Sequence, residues 1–184
     1  SIDGLAIIDL NSNFLEFNGS YIKMTGFSRE ELLKTSCIEL TAPEDVERMD
    51  TLMTECGVML MGSKTYQSFG DDLPNDKAYQ IVVTNNQELL SKQQDNVTFT
   101  NKPLKESLND IEAKGYKSVL IAGGSELNTS LIQEDLIDEI RLIVKPMILG
   151  SGKALFNDFE KYKNFKVVST EQLPNGSVEL TVSK

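Results

Sequence analysis

The stretch SVLIAGGSEL (118–127) decides the fold. A nearly all-apolar run, Ser118–Ala122, meets two glycines and then Ser125, Glu126 and Leu127, where a helical period begins with Leu127, Leu131 and Ile132. An apolar run this short, without polar alternation, reads as a strand covered on both faces, which is the habit of parallel sheets with helices on either side. The stretch GVMLMGSKTY (57–66) repeats the arrangement: an apolar strand, Gly62, and a helix start carrying Ser63, Lys64 and Thr65. At either turn glycine lets an anion approach the backbone, and the amides opening a helix favour negative charge. From the dipeptide alone a plain strand-to-helix turn is the favoured account of Gly123-Gly124, and a solvated lysine is the plain account of Lys64. Lys64 at a helix start opposes the helix dipole, which tilts that turn towards a functional reading. Two such turns in one small sheet suit a dinucleotide pyrophosphate, because ligands of open α/β sheets bind beyond the carboxyl ends of the strands.

Outward from these turns the pattern alternates. Tyr79–Thr84 (YQIVVT) reads as a strand, and Leu104, Leu108 and Ile111 mark a helix ending at Lys114-Gly115. Glu139–Pro146 alternates as a strand, and 165–170 with 177–182 forms a hairpin about Pro174-Asn175-Gly176. The expectation is an α/β fold with a mixed, mainly parallel sheet flanked by helices. A loop with Gly150 and Gly152, in 146–156, is a third and weaker site candidate.

The amino-terminal part differs. Residues 1–56 hold four basic and eleven acidic side chains and three of the chain's twelve glycines, so a provisional seam falls at Cys56/Gly57. Leu5–Leu10 (LAIIDL) reads as a strand, Asn11-Ser12-Asn13 as a turn, and Phe14–Phe17 as a second strand. Ser28–Glu31 and Thr41–Glu44 both read as capping boxes, and the second opens a helix with Val46, Met49, Leu52 and Met53 along one face.

Composition narrows the function. The chain has 184 residues, no histidine, no tryptophan, two cysteines and a net charge of −10. Without histidine, Ser-His-Asp triads, Cys₂His₂ zinc sites and proximal-histidine haem are excluded, and no metal is expected. The negative charge argues against nucleic acid or an anionic membrane as partner. Cys37 and Cys56 lack a CxxC spacing and read as packing residues of a reducing compartment. With no long apolar run and no leader-like start, the expectation is a soluble, cytoplasmic protein.

The stretches 58–75, 79–84 and 119–156, with the closing hairpin, resemble the dihydrofolate reductase-like family, in the branch holding the reductase domain of riboflavin biosynthesis. The resemblance covers 57–184. It implies an enzyme that binds NADPH (or NADH) and passes hydride to a pteridine- or pyrimidine-type small molecule, often as a homodimer. It further implies that Gly62, Ser63, Lys64, Thr65 and Thr84 hold one side of the cofactor, with Gly123, Gly124, Ser125 and Glu126 beneath its pyrophosphate. No catalytic side chain is assigned, since the nicotinamide carries the chemistry. Two positions depart from the family pattern: Ser63 stands where arginine usually follows the first glycine, and Asn85-Asn86 stand where an arginine usually meets the 2′-phosphate. The family's opening strand is also missing.

Residues 3–45 resemble instead the first half of a PAS sensor domain, through Asn18-Gly19-Ser20-Tyr21 and Thr25-Gly26-Phe27-Ser28-Arg29-Glu30-Glu31-Leu32. Two arrangements follow: a composite in which strand Leu5–Leu10 completes or abuts the reductase-like sheet, or a truncated sensor beside a truncated reductase. The first is preferred, with the seam nearer residue 41. The competing function is a non-catalytic chimeric or PAS-type sensor or interaction module.

Overall fold

The computed structural model describes residues 6–8, 14–34, 43–69, 76–92, 94–146, 154–160 and 162–184. The Asn11–Asn13 turn, Cys37, Thr41 of the second capping box and most of the 146–156 loop lie outside them. The chain divides into two units, Ser1–Gly124 and Ser125–Lys184.

The first unit is built on a four-stranded parallel sheet. Its strands are β3 (Val58–Gly62), β4 (Tyr79–Val83), β5 (Val97–Thr100) and β6 (Leu120–Gly123), in the order β5-β4-β3-β6. Val58, Met59, Leu60 and Met61 are each at most 1% exposed, so β3 is covered on both faces as its continuous apolar run demands. Met59, Met61, Val82 and Val97 form one face of the core with Met53. Met53 comes from helix α3 (Pro43–Cys56), and Tyr66 and Phe69 join the cluster from α4 (Ser63–Phe69). Steps from β3 to β4 to β5 run one way across the sheet and the step from β5 to β6 runs back. Right-handed crossovers therefore place α6 (Leu104–Ala113) on the face opposite α4. Leu104, Ser107 and Ile111 are its buried stripe.

Gly57 ends α3 by adopting φ +66°, with its amide donating to Met53 O at 2.8 Å. Along α3 the expected apolar face is only partly buried: Met53 is covered, whereas Met49 is 47% exposed. Strand β5 and the short helix α5 (Gln87–Ser91) are elements that the hydrophobic pattern does not announce.

Two expectations about the sheet are corrected. Strand β1 (Ala6–Ile8) pairs antiparallel with β2 (Phe14–Phe17) in a sheet of their own, while β3 pairs directly with β6; β1 does not complete the parallel sheet. The reason is local packing. Phe14 and Phe17 bury with Leu32, against Tyr21 and Ile22, using helices α1 (Gly19–Thr25) and α2 (Arg29–Leu32). The first capping box is present: Ser28 Oγ accepts from Glu31 N at 3.3 Å, and Glu31 Oε2 accepts from Ser28 N at 2.7 Å. Hydrogen bonding to the carboxylate from the Ser28 side chain first, and then from the Ser28 amide, holds the Glu31 carboxyl below its usual range against the effect of burial.

The second correction concerns the carboxyl-terminal strands. In the second unit, β7 (Glu139–Val144), β9 (Val178–Ser183) and β8 (Lys166–Gln172) form a separate antiparallel sheet in the order β7-β9-β8. Among the described residues, parallel and antiparallel strands thus occupy different sheets, not one mixed sheet. Gly176, at φ +80°, turns the β8–β9 hairpin as its sequence requires. Helix α7 (Ser125–Gln133) opens this unit and buries Leu127, Leu131 and Ile132.

Candidate functional site

The parallel sheet brings its first unit's candidate residues to one edge. Gly62 ends β3 opposite Val83 of β4, so Thr84 follows at the same level. On the other side, Met61 stands opposite Gly123. The register slips by one residue before that pair, an extra residue in β6 that sets Gly123-Gly124 beside Gly62. Gly123 takes φ +84°, and its peptide to Gly124 is cis.

The closeness can be measured by what side chains would meet. A Cβ on Gly62 would lie 3.8 Å from Gly123 O and 3.9 Å from Gly124 N, and one on Gly124 would lie 3.4 Å from Thr65 Oγ1. The two turns therefore face each other as bare backbone with the Thr65 hydroxyl beside them. Gly62, Ser63 and Thr65 are half-buried, while Lys64 and Gly124 are exposed. This cradle fits a pyrophosphate: methyl-free backbone for approach, a hydroxyl donor and an exposed ammonium. Helix α4 has only seven residues, so its dipole adds little beyond its first amides.

Thr84 is buried, and its Oγ1 accepts from Asn86 N at 3.1 Å. Asn86 in turn caps α5, its Oδ1 accepting from Glu88 N at 2.9 Å. The sequence reading takes Thr84 as a site residue and Asn85-Asn86 as a departure from the family's arginine but does not see the helix, although Thr-Asn-Asn followed by Glu88 carries a capping signature. Ser125 and Glu126 start α7 in the second unit, directly after Gly124, with Ser125 O accepting from Thr129 Oγ1 at 2.7 Å.

Other polar features lie elsewhere. An open groove of about 400 Å³ is lined by Asp50, Thr51, Thr54, Glu55 and Lys77, where Lys77 pairs with Asp50 at 2.5 Å. Lys77 precedes β4 and α3 leads into β3, so this groove belongs to the amino edge of the sheet, opposite the glycine turns. At that edge too, Tyr79 Oη bonds Thr98 Oγ1. Lys114 Nζ lies 3.3 Å from Tyr79 Oη and 4.5 Å from its ring centroid. The Thr98 bond first, and then Lys114, hold the phenol below its usual pKa against the effect of burial. Among the described residues no His/Cys/Asp/Glu group suits a metal ion, and no helix is long and apolar enough to cross a membrane.

A parallel α/β sheet flanked by helices, with paired glycine turns at its carboxyl edge, belongs to the class of open α/β folds. The family follows from comparison. Residues 33–178 match the RibD C-terminal domain, and the chain belongs to that family. The match starts ahead of the Cys56/Gly57 seam, takes in α3, and lends the PAS-like reading of the amino-terminal segment no support. The chain is 27% identical over 139 residues to the uncharacterised protein YyaP of Bacillus subtilis, spanning 70% of this chain and 74% of YyaP. The fold is similar to the putative riboflavin biosynthesis protein of Shewanella sp. PV-4, at TM-score 0.64 and 27% identity, over 72% of this chain and 76% of that one. It is similar also to Acinetobacter baumannii RibD, at TM-score 0.63 and 20% identity, over 78% of this chain and 51% of that one. The α/β fold with a helix-flanked parallel sheet is common to them.

Proposed function

We propose that the chain is a reductase that binds a reduced nicotinamide dinucleotide at the paired turns and reduces a small pyrimidine- or pteridine-type heterocycle. One observation carries the reading: Gly62 and Gly123-Gly124 close on each other at the carboxyl edge of adjacent parallel strands, with Thr65 Oγ1 beside them. Membership of the RibD C-terminal domain family supports the substrate class.

In this reading Gly62 and Gly124 admit the pyrophosphate to the backbone, Thr65 Oγ1 donates to it, and Lys64 offers positive charge. Ser63 lines the same turn, and buried Thr84 fixes the path of the chain beside it. Ser125 and Glu126 belong to the proposal through their direct continuity with Gly124. The bound dinucleotide supplies the hydride; the residues named hold it and set its orientation.

A second reading, a non-catalytic module, is favoured by one finding: β1 pairs with β2 and stays out of the parallel sheet. Calorimetric titration of the full chain with NADH and NADPH decides between them. Binding of either at micromolar to sub-millimolar concentration supports the reductase; no heat from either at millimolar concentration leaves the non-catalytic module.

A further inference from the structure

Beyond Val83 the chain reads Thr84-Asn85-Asn86-Gln87-Glu88, at the carboxyl edge of the strand next to β3. Neighbouring strands stand about 4.8 Å apart, so this segment is the first that a molecule seated at Gly62 meets on that side. Most of its hydrogen-bonding groups are committed. Thr84 Oγ1 accepts from Asn86 N, and Asn86 Oδ1 accepts from the amides of Glu88 and Leu89. Asn85 and Glu88 remain exposed, a neutral amide and a carboxylate. The next lysines along the chain are engaged elsewhere. Lys92 donates to Tyr66 Oη at 2.9 Å, and Lys102 is held by Asp110 at 2.5 Å and Glu106 at 3.5 Å.

We propose that this segment selects a dinucleotide with a free adenosine ribose diol, NADH, over its 2′-phosphorylated form, with Asn85 and Glu88 as the selecting residues. The proposal rests on the reductase reading above. A 2′-phosphate brings further negative charge that wants a guanidinium or ammonium. Here it meets a carboxylate and an uncharged amide. A ribose diol suits the same carboxylate, because its hydroxyls donate to it, the general way in which an acidic residue marks NAD-specific sites.

The test is direct binding, by calorimetry on the full chain, so that it does not depend on turnover. NADH binds at least about tenfold more tightly than NADPH, a difference of about 1.4 kcal/mol. Asn85→Arg, which spares the Asn86 cap, tightens NADPH about fivefold or more and leaves NADH within about twofold. Glu88→Gln narrows the gap from both sides. Melting curves confirm that the variants fold; titrating wild-type protein with ADP and 2′,5′-ADP gives the same comparison without any substitution. NADPH binding as tightly as NADH, or an Asn85→Arg protein indifferent to the 2′-phosphate, overturns the selection and leaves the reductase reading standing. Binding of neither dinucleotide overturns both.

Discussion

Gly62→Ala separates the part of the glycine cradle that serves folding from the part that serves binding. The added methyl would stand 3.8 and 3.9 Å from Gly123 O and Gly124 N, which is ordinary van der Waals contact. Gly62 has no positive φ, so alanine adopts its backbone without strain. Replacing glycine under those conditions trims unfolded-state entropy and stabilises by about 0.4–1 kcal/mol. For a chain of this size that raises the melting temperature by roughly 1–4 °C. Binding moves the other way. The methyl occupies the space through which an anion reaches the turn amides, and each charge-assisted hydrogen bond lost costs about 1.5–3 kcal/mol. One such loss weakens dinucleotide affinity by roughly 10- to 150-fold, and a second multiplies that by a similar factor. Melting curves and calorimetry on the same protein preparation read both quantities. An alanine variant that binds as the wild type does, at unchanged or higher melting temperature, would show that the anion does not use this cradle.

Three further outcomes follow from the same geometry. Gly57→Ala must hold φ +66° and push against Tyr116 Cε1 at 3.3 Å, whereas Gly115→Ala holds φ +94° in open space. Each loses about 1–2 kcal/mol in urea unfolding from backbone strain, and Gly57→Ala loses more; equal losses would mean Tyr116 yields freely. Tyr79 gives up its proton more readily folded than unfolded, so its contribution is complete above the unfolded value near 10 and fades as pH falls through the lowered folded one. The stability gap between wild type and Tyr79→Phe therefore widens as pH rises towards 10, and a gap flat across pH 8–10.5 refutes the assignment. Ser28→Ala removes the cap on Glu31 N and lets the Glu31 carboxyl rise towards its usual range, seen as a shifted carboxyl titration by NMR. An unshifted curve would mean the box does not form in solution.

What the sequence revealed, and what it hid, divides along a physical line. Strands β3 and β6 were legible because continuous apolar runs ending in glycine demand two covered faces, and Val58–Met61 are covered on both. The two turns were legible for the same reason. Strand β5 was not: Val97-Thr98-Phe99-Thr100 is four residues long behind a polar stretch, and its burial comes from neighbours β4 and Tyr66. Nor was the partner of β1. Pairing between strands is a long-range choice, and Phe14, Phe17 and Leu32 supply a local apolar surface that settles it against joining the parallel sheet. Met49 shows the limit of periodicity, since its place on the apolar face of α3 holds whether or not anything covers it.

Electrostatics at two ranges bears on the cofactor, and ionic strength tells them apart. The chain carries a net charge of −10, and any dinucleotide is an anion, so approach is opposed by the whole protein as well as by whatever stands at the β4 edge. The long-range part acts through solvent and falls away as the Debye length shortens from about 30 Å at 0.01 M salt to about 10 Å at 0.1 M. It opposes NADPH more than NADH because NADPH carries the greater charge. The local part, the proposed pairing of a 2′-phosphate with the Glu88 carboxylate where no arginine stands at position 85 or 86, would act over a short range and be screened much less. Raising salt from 0.01 to 0.15 M should therefore improve the affinity for NADPH more than that for NADH, yet leave a residual preference for NADH. A preference that vanishes entirely at 0.15 M would place discrimination in the net charge of the chain and remove Asn85 and Glu88 from it.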